Sequence, residues 1–218
     1  MNEFRYIDSD FLASIATDSD RIPTLYYSKH LAARVFFWMR LRFLFRLMKR
    51  HSKHEERCLD FGGGSGVFLP SLAAFFKQVV CIDLENEEAL KIIAHCSIDN
   101  VELVKSDIST AQLKPASFQA IVAADVLEHF KDISIAVDAI SKWLARDGFL
   151  YTSLPTENWL YLILRKTFKV QKPWDHYHTA AEVESFLEES GFEKVQGIYV
   201  PLFYSIFPLF RISVWRLS

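Results

Sequence analysis

Three cysteines, Cys58, Cys81 and Cys96, form neither a C-x-x-C pair nor a metal-binding spacing. That argues against a disulfide-stapled or zinc-stapled domain, and thiols read as reduced point to the cytoplasm. The seven histidines form no cluster that would mark a metal site, so none is expected. No charge-free stretch approaches the length of a membrane span. The acidic start MNEFRYIDSD lacks an apolar run after a basic head, so no secretory signal is expected. A formal charge of −2 disfavours a protein that holds nucleic acid by bulk charge. Glycine is scarce, with seven in 218 residues, and four of them fall in one turn at 62–66. What the chain has in quantity is apolar side chains: half of it is hydrophobic and 15% aromatic, with 19 Phe. That suffices for one sizeable core, in a single α/β domain with extra terminal elements.

The glycines sit in CLDFGGGSGVF, from Cys58 to Phe68. An apolar run ending in Asp60 and breaking into Gly62, Gly63, Gly64 and Gly66 reads as a buried strand, a tight turn, and a helix from Ser65 to Phe76. Glycines at such a turn permit positive φ and let a ligand lie against the main chain. The dinucleotide pattern G-x-G-x-x-G fails, because Val67 stands where its third glycine belongs. Further strands are expected at Glu56–Phe61, Gln78–Asp83, Val101–Val104, Phe118–Ala124 and Phe149–Leu154. Helices are expected at Glu85–Cys96 and Ile133–Ala145, with Arg146–Gly148 as a turn and residues 193–200 and 209–217 as a hairpin. Alternating elements of this length make a mainly parallel, doubly wound sheet. Its ligands belong at the carboxyl ends of the strands, where Asp60, Asp83, Asp107 and Asp125 all fall.

Asp60-x-Gly62-x-Gly64-x-Gly66 resembles the first motif of the class I methyltransferases that use S-adenosyl-L-methionine. Asp125-Val-Leu-Glu-His129 resembles a segment of their small-molecule (type 11/23-like) group. The resemblance covers roughly Glu56 to Phe192 and implies a Rossmann-like, seven-stranded sheet with a C-terminal antiparallel hairpin. It further implies that Asp60, Gly62, Gly64 and Gly66 hold the amino-acid end of the cofactor. Asp83, followed by Leu84, would take the ribose hydroxyls, and Asp107, followed by Ile108, would approach the adenine. Asp125 and its neighbours would flank the cofactor and face the acceptor. An [Asp/Asn]-Pro-Pro-[Tyr/Phe] segment, which would indicate methylation of bases or glutamine, is absent. Oxygen methylation needs a base for the acceptor's proton, and His129 and His176 are the candidates on strand-tip loops, ahead of His178.

Residues 28–54 contain eight Lys and Arg and no acid. On a helix, Arg42, Arg46, Lys49, Arg50 and Lys53 share one sector and apolar residues fill the rest. Residues 1–54 are thus an N-terminal helical extension and 55–218 the methyltransferase domain, with an insertion at about 156–178 over the acceptor pocket. The basic helix has two readings: packing on the domain, or contact over residues 29–53 with an anionic membrane surface, peripheral to its inner face. The second suits a hydrophobic or lipid-linked small-molecule acceptor. A protein or RNA methyltransferase docking a polyanion through the same helix stands as an alternative, as does a non-catalytic interaction module. An exposed apolar face would also serve a homodimer.

Overall fold

The computed structural model describes residues 3–16, 21–54, 56–156, 176–201 and 208–218. Most of the expected acceptor-pocket insertion lies outside the described residues, as does most of the loop joining the final hairpin.

Seven strands form one sheet: β1 (Arg57–Phe61), β2 (Gln78–Asp83), β3 (Val101–Lys105), β4 (Phe118–Ala124), β5 (Leu144–Pro155), β6 (Phe192–Val200) and β7 (Phe210–Leu217). Their order is β3-β2-β1-β4-β5-β7-β6, parallel from β3 to β5 and antiparallel where β7 meets β5 and β6. The doubly wound sheet and its closing hairpin are therefore as expected. Chain order reverses between β1 and β4, so a crevice opens at their carboxyl ends.

Two helical layers cover the sheet. On one face lie α1 (Ser9–Ile15), α2 (Leu31–His51), α3 (Leu69–Phe75) and α4 (Glu87–His95). On the other lie α5 (Ile133–Trp143) and α6 (Ala180–Glu189). Alternate residues of β1 divide between the layers: Cys58 joins the first core, while Leu59 and Phe61 join the second. Asp60 shares the side of Cys58. A capping box of Thr179 and Glu182 starts α6, with each side chain satisfying the other's backbone N–H.

α2 packs on the domain. Leu41, Leu44, Phe45, Leu47 and Met48 are buried, with Phe45 edge-on to Phe68 and Phe75, while Arg42, Arg46, Lys49 and Arg50 stay exposed. The packing reading of the basic helix thus holds for its apolar face.

Two local expectations are corrected. The helix after the glycine turn begins at Leu69, not Ser65, because Gly66 holds φ +79 and Pro70 suits only the first turn of a helix. Arg146–Gly148 is not a turn before a strand. It lies inside β5, which is in register with β4 at Phe118↔Leu144 and again at Ala120↔Phe149, so the extra residues bulge out.

Candidate active site at the strand tips

A cavity of about 270 Å³ opens at the carboxyl ends of β1 and β4, roofed by α2 and by the segment before it. Asp60, Gly62 to Gly64, Asp125, His129 and His176 all line it. Sequence reasoning had drawn these from three separate stretches.

The glycine loop is tied to the sheet by the N–H groups of Gly62 and Gly63, which donate to the Ile82 carbonyl at 2.9 and 3.3 Å. Gly62 has φ +65, and a Cβ there would meet Val126 at 2.3 Å. Gly64 has φ +56, and among the described residues nothing beyond its own chain neighbours lies within 4 Å of where a Cβ would stand, so its backbone faces open space beside the cavity. The Gly64 N–H donates to Asp83 Oδ2 at 2.8 Å, joining the loop to the tip of β2.

Asp60 is buried, and its Oδ2 has no hydrogen-bond partner among the described residues. Burial pushes its carboxyl up to about 7, helped by the negative charge of Asp83. Asp83 is ion-paired with Arg21, and Glu88 lies at 3.9 Å from the same guanidinium.

Asp125 turns the chain off β4 with φ +53, a conformation uncommon outside glycine. Its N–H donates to the Ser153 carbonyl at 2.8 Å, and the Ser153 hydroxyl donates to its Oδ1 at 3.2 Å. Its carboxylate is ion-paired with Arg40, a buried cation on the inner face of α2. Burial pushes the Asp125 carboxyl up, and the Arg40 charge pulls it back down. Arg40 also donates to the Tyr26 hydroxyl at 2.6 Å and sits 4.4 Å from the Phe37 ring.

The turn that follows, Leu127–His129, is 3₁₀-helical and aims His129 at the cavity. His176 reaches the same wall from before α6, its ring centroid 4.6 Å from that of His129 in an edge-to-face contact. The N–H groups of Tyr177 and His178 hold this segment in place, donating to the Glu128 carbonyl at 2.9 and 3.4 Å. Glu128, His129 and His176 bring ligand-capable atoms within 4.8 Å of one another, a grouping the expectation of no metal site did not foresee.

Leu84, Asp107 and Ile108 stand apart from the lining. Asp107 is exposed, and its carboxylate accepts from Ser109 N and Oγ at 2.8 and 2.7 Å. Leu84 is exposed next to Asp83. Arg21 and Arg40 were missed by sequence reasoning. For Arg40 a signal existed, since it falls outside the basic sector of its helix, on the apolar side.

A family model described as a methyltransferase domain matches residues 30–197. The ubiquinone biosynthesis O-methyltransferase of Neisseria meningitidis serogroup A is 24% identical over 155 residues, covering 63% of this chain. The chain spans 64% of the length of that relative. Among solved structures, the N-methyltransferase NodS of Bradyrhizobium japonicum, in complex with S-adenosyl-L-homocysteine, matches with TM-score 0.72 at 20% identity. The match covers 96% of this chain and 98% of NodS. A SAM-dependent methyltransferase of Aquifex aeolicus matches with TM-score 0.65 at 16% identity, over 96% and 97% of the two chains. At these identities the structural likeness speaks for the fold.

Proposed function

The chain belongs to the methyltransferase-domain family, and from that premise we propose that it moves the methyl group of S-adenosyl-L-methionine to a hydroxyl of a hydrophobic small molecule. The observation that carries the reading is the pairing of a buried carboxylate oxygen, Asp60 Oδ2, without a partner among the described residues, with the open backbone of Gly64 at one strand-tip cavity. An ammonium group would give Asp60 Oδ2 its missing donor, and a side chain lying along Gly64 would meet no Cβ, so the residues present fit the amino-acid end of this cofactor. The cofactor's name comes with the NodS complex and with the motif at Asp60–Gly66.

When bound, the cofactor supplies the electrophilic methyl group. The chain's own residues then have three tasks. Asp60 and the glycine loop fix one end, and Asp83 accepts from the ribose hydroxyls, trading contact with Arg21 for contact with the ligand. Phe37, Leu41, Pro155 and the buried Arg40 wall the cavity and exclude water. His129 and His176 face the acceptor side. One of the two accepts the hydroxyl proton at an imidazole nitrogen as the oxygen attacks, with its edge-on neighbour limiting its rotation.

Oxygen is favoured by two histidines on one wall and by the name of the Neisseria relative, whereas NodS is named for nitrogen. Apolar lining favours a hydrophobic acceptor. The test is transfer of labelled methyl to a panel of hydrophobic phenols and amines. Phenol methylation that falls about 10²-fold or more in kcat for H129A or H176A, with cofactor affinity unchanged, fits the reading. Methylation of amines alone, indifferent to both substitutions, would sink it.

A further inference from the structure

The outer face of α2 carries side chains that the site does not use. Phe37, Arg40 and Leu41 face the cavity from the inner side. Outward, residues three and four apart form one stripe with a gradient along it. At the amino-terminal end stand Leu31, Val35 and Phe36, exposed by 62%, 49% and 36%. Met39 and Phe43 follow, half-buried, and then exposed Arg42, Arg46, Lys49, Arg50 and, beyond the helix, Lys53. Over about 30 Å of helix, apolar surface gives way to cationic surface.

Two further observations point to a ligand for this face. Among the described residues, none of Arg34, Arg42, Arg46 and Arg50 has a carboxylate partner, in a chain whose net charge is negative. Beside the stripe a groove of about 330 Å³ separates α2 from the segment before α1, lined by Tyr6, Val35, Trp38 and Met39 together with Arg34 and Arg42. The acid nearby, Asp8, is engaged in capping α1, accepting from the N–H groups of Asp10 and Phe11. Apolar walls with two guanidinium groups suit an anionic amphiphile.

We infer that the outer face of α2 docks the protein on an anionic lipid surface, with Leu31, Val35 and Phe36 entering the headgroup–acyl boundary and Arg34 and Arg42 meeting lipid phosphates. A nucleic acid would satisfy the basic end and leave the apolar end in water. A second copy would set five like charges against themselves across a two-fold axis. A bilayer answers both ends, and the apolar end is the one that carries the site residues Phe37, Arg40 and Leu41. The inference rests on the proposed hydrophobic acceptor only for its use, since docking would bring the cavity to where such an acceptor dissolves.

The test is flotation of the full chain with phosphatidylcholine vesicles made with and without phosphatidylserine. The wild-type protein should float with the anionic vesicles and lose them as salt rises. R42Q/R46Q/R50Q should lower the partition coefficient by about 100-fold, at roughly fivefold per charge. L31S/V35S/F36S, which leaves every charge in place, should lower it by tenfold or more. Neither variant should change cofactor affinity or methylation of a short-chain soluble phenol, which also certifies that each is folded. A wild-type chain that binds cofactor and does not float overturns the docking surface and leaves the function reading standing. Flotation without cofactor binding supports the surface and counts against the function. Flotation indifferent to both variants, or salt-sensitive capture of RNA with no flotation, overturns the inference.

Discussion

Replacing Asp60 with Asn should make the cofactor-free protein more stable at alkaline pH while weakening cofactor binding. The carboxyl titrates near 7 in the folded chain and at an ordinary 3.8 when free. A raised folded-state value means that the folded protein keeps a proton the unfolded chain has released. The contribution of Asp60 to stability is therefore most favourable below pH 3.8, falls as pH rises to about 7, and is level above that. At about 1.4 kcal/mol per pH unit, the burial of this acid costs about 4 kcal/mol above pH 7. An amide does not titrate, so D60N should escape the loss. Urea unfolding at pH 5 and pH 8 gives the measurement, and the stability difference between variant and wild type should move in favour of the variant by roughly 3 kcal/mol across that interval. The change with pH carries the test, because any packing penalty of the amide is the same at both values. A difference that stays constant would show that Asp60 is ionised and satisfied when the protein folds, and would remove the main support for an ammonium at that spot. Binding gives the complementary result. Because a bound ammonium needs the ionised carboxylate, wild-type affinity for S-adenosyl-L-methionine should fall about tenfold per pH unit below 7. In D60N titration calorimetry should find weaker binding that no longer depends on pH in this range.

Gly64→Ala and Gly191→Ala form a matched pair, since both positions hold positive φ and, among the described residues, nothing beyond the chain neighbours lies within 4 Å of the added carbon. Each should lose about 1–2 kcal/mol of stability by thermal unfolding, and only G64A should also lose tenfold or more in cofactor affinity. Phe45→Ala should cost about 3–5 kcal/mol in urea unfolding, because the ring is buried among Phe4, Phe68 and Phe75; a cost below 1 kcal/mol would mean that α2 is not anchored as described.

The parts of the site legible in the sequence are those that a parallel sheet places by itself. Buried strands read as apolar runs, and the residue ending each run lies at the tip, so Asp60, Asp83 and Asp125 could be located without knowing the packing. The covering parts were not legible. Arg21 reaches Asp83 across 62 residues and Arg40 reaches Asp125 across 85, contacts that exist only once α2 and the segment before it lie over the strand tips. His129 and His176 were each suspected, but their edge-to-face contact depends on Glu128 holding the second loop through its carbonyl, which no spacing rule anticipates. Misplaced boundaries have local causes. Ser65 looked like a helix start because polar residues cap helices, yet Gly66 beyond it cannot continue one at φ +79. Arg-Asp-Gly looked like a turn because that composition forms turns, yet a bulge inside β5 uses the same residues.

The placement of α2 also has a bearing on how the protein is made. Its inner side packs on β5 and β7, with Phe37 against Phe210 and His51 bonded to Gln196 of β6. Strand β7 leaves the ribosome about 160 residues after the helix ends, roughly 10–30 s later at ordinary elongation rates. For that interval a 21-residue helix, apolar on one side and cationic on the other, lacks its last partner. During that time the apolar side of α2 is without the strands that later cover it, so whatever shields the helix during synthesis bears on how much folded protein is recovered.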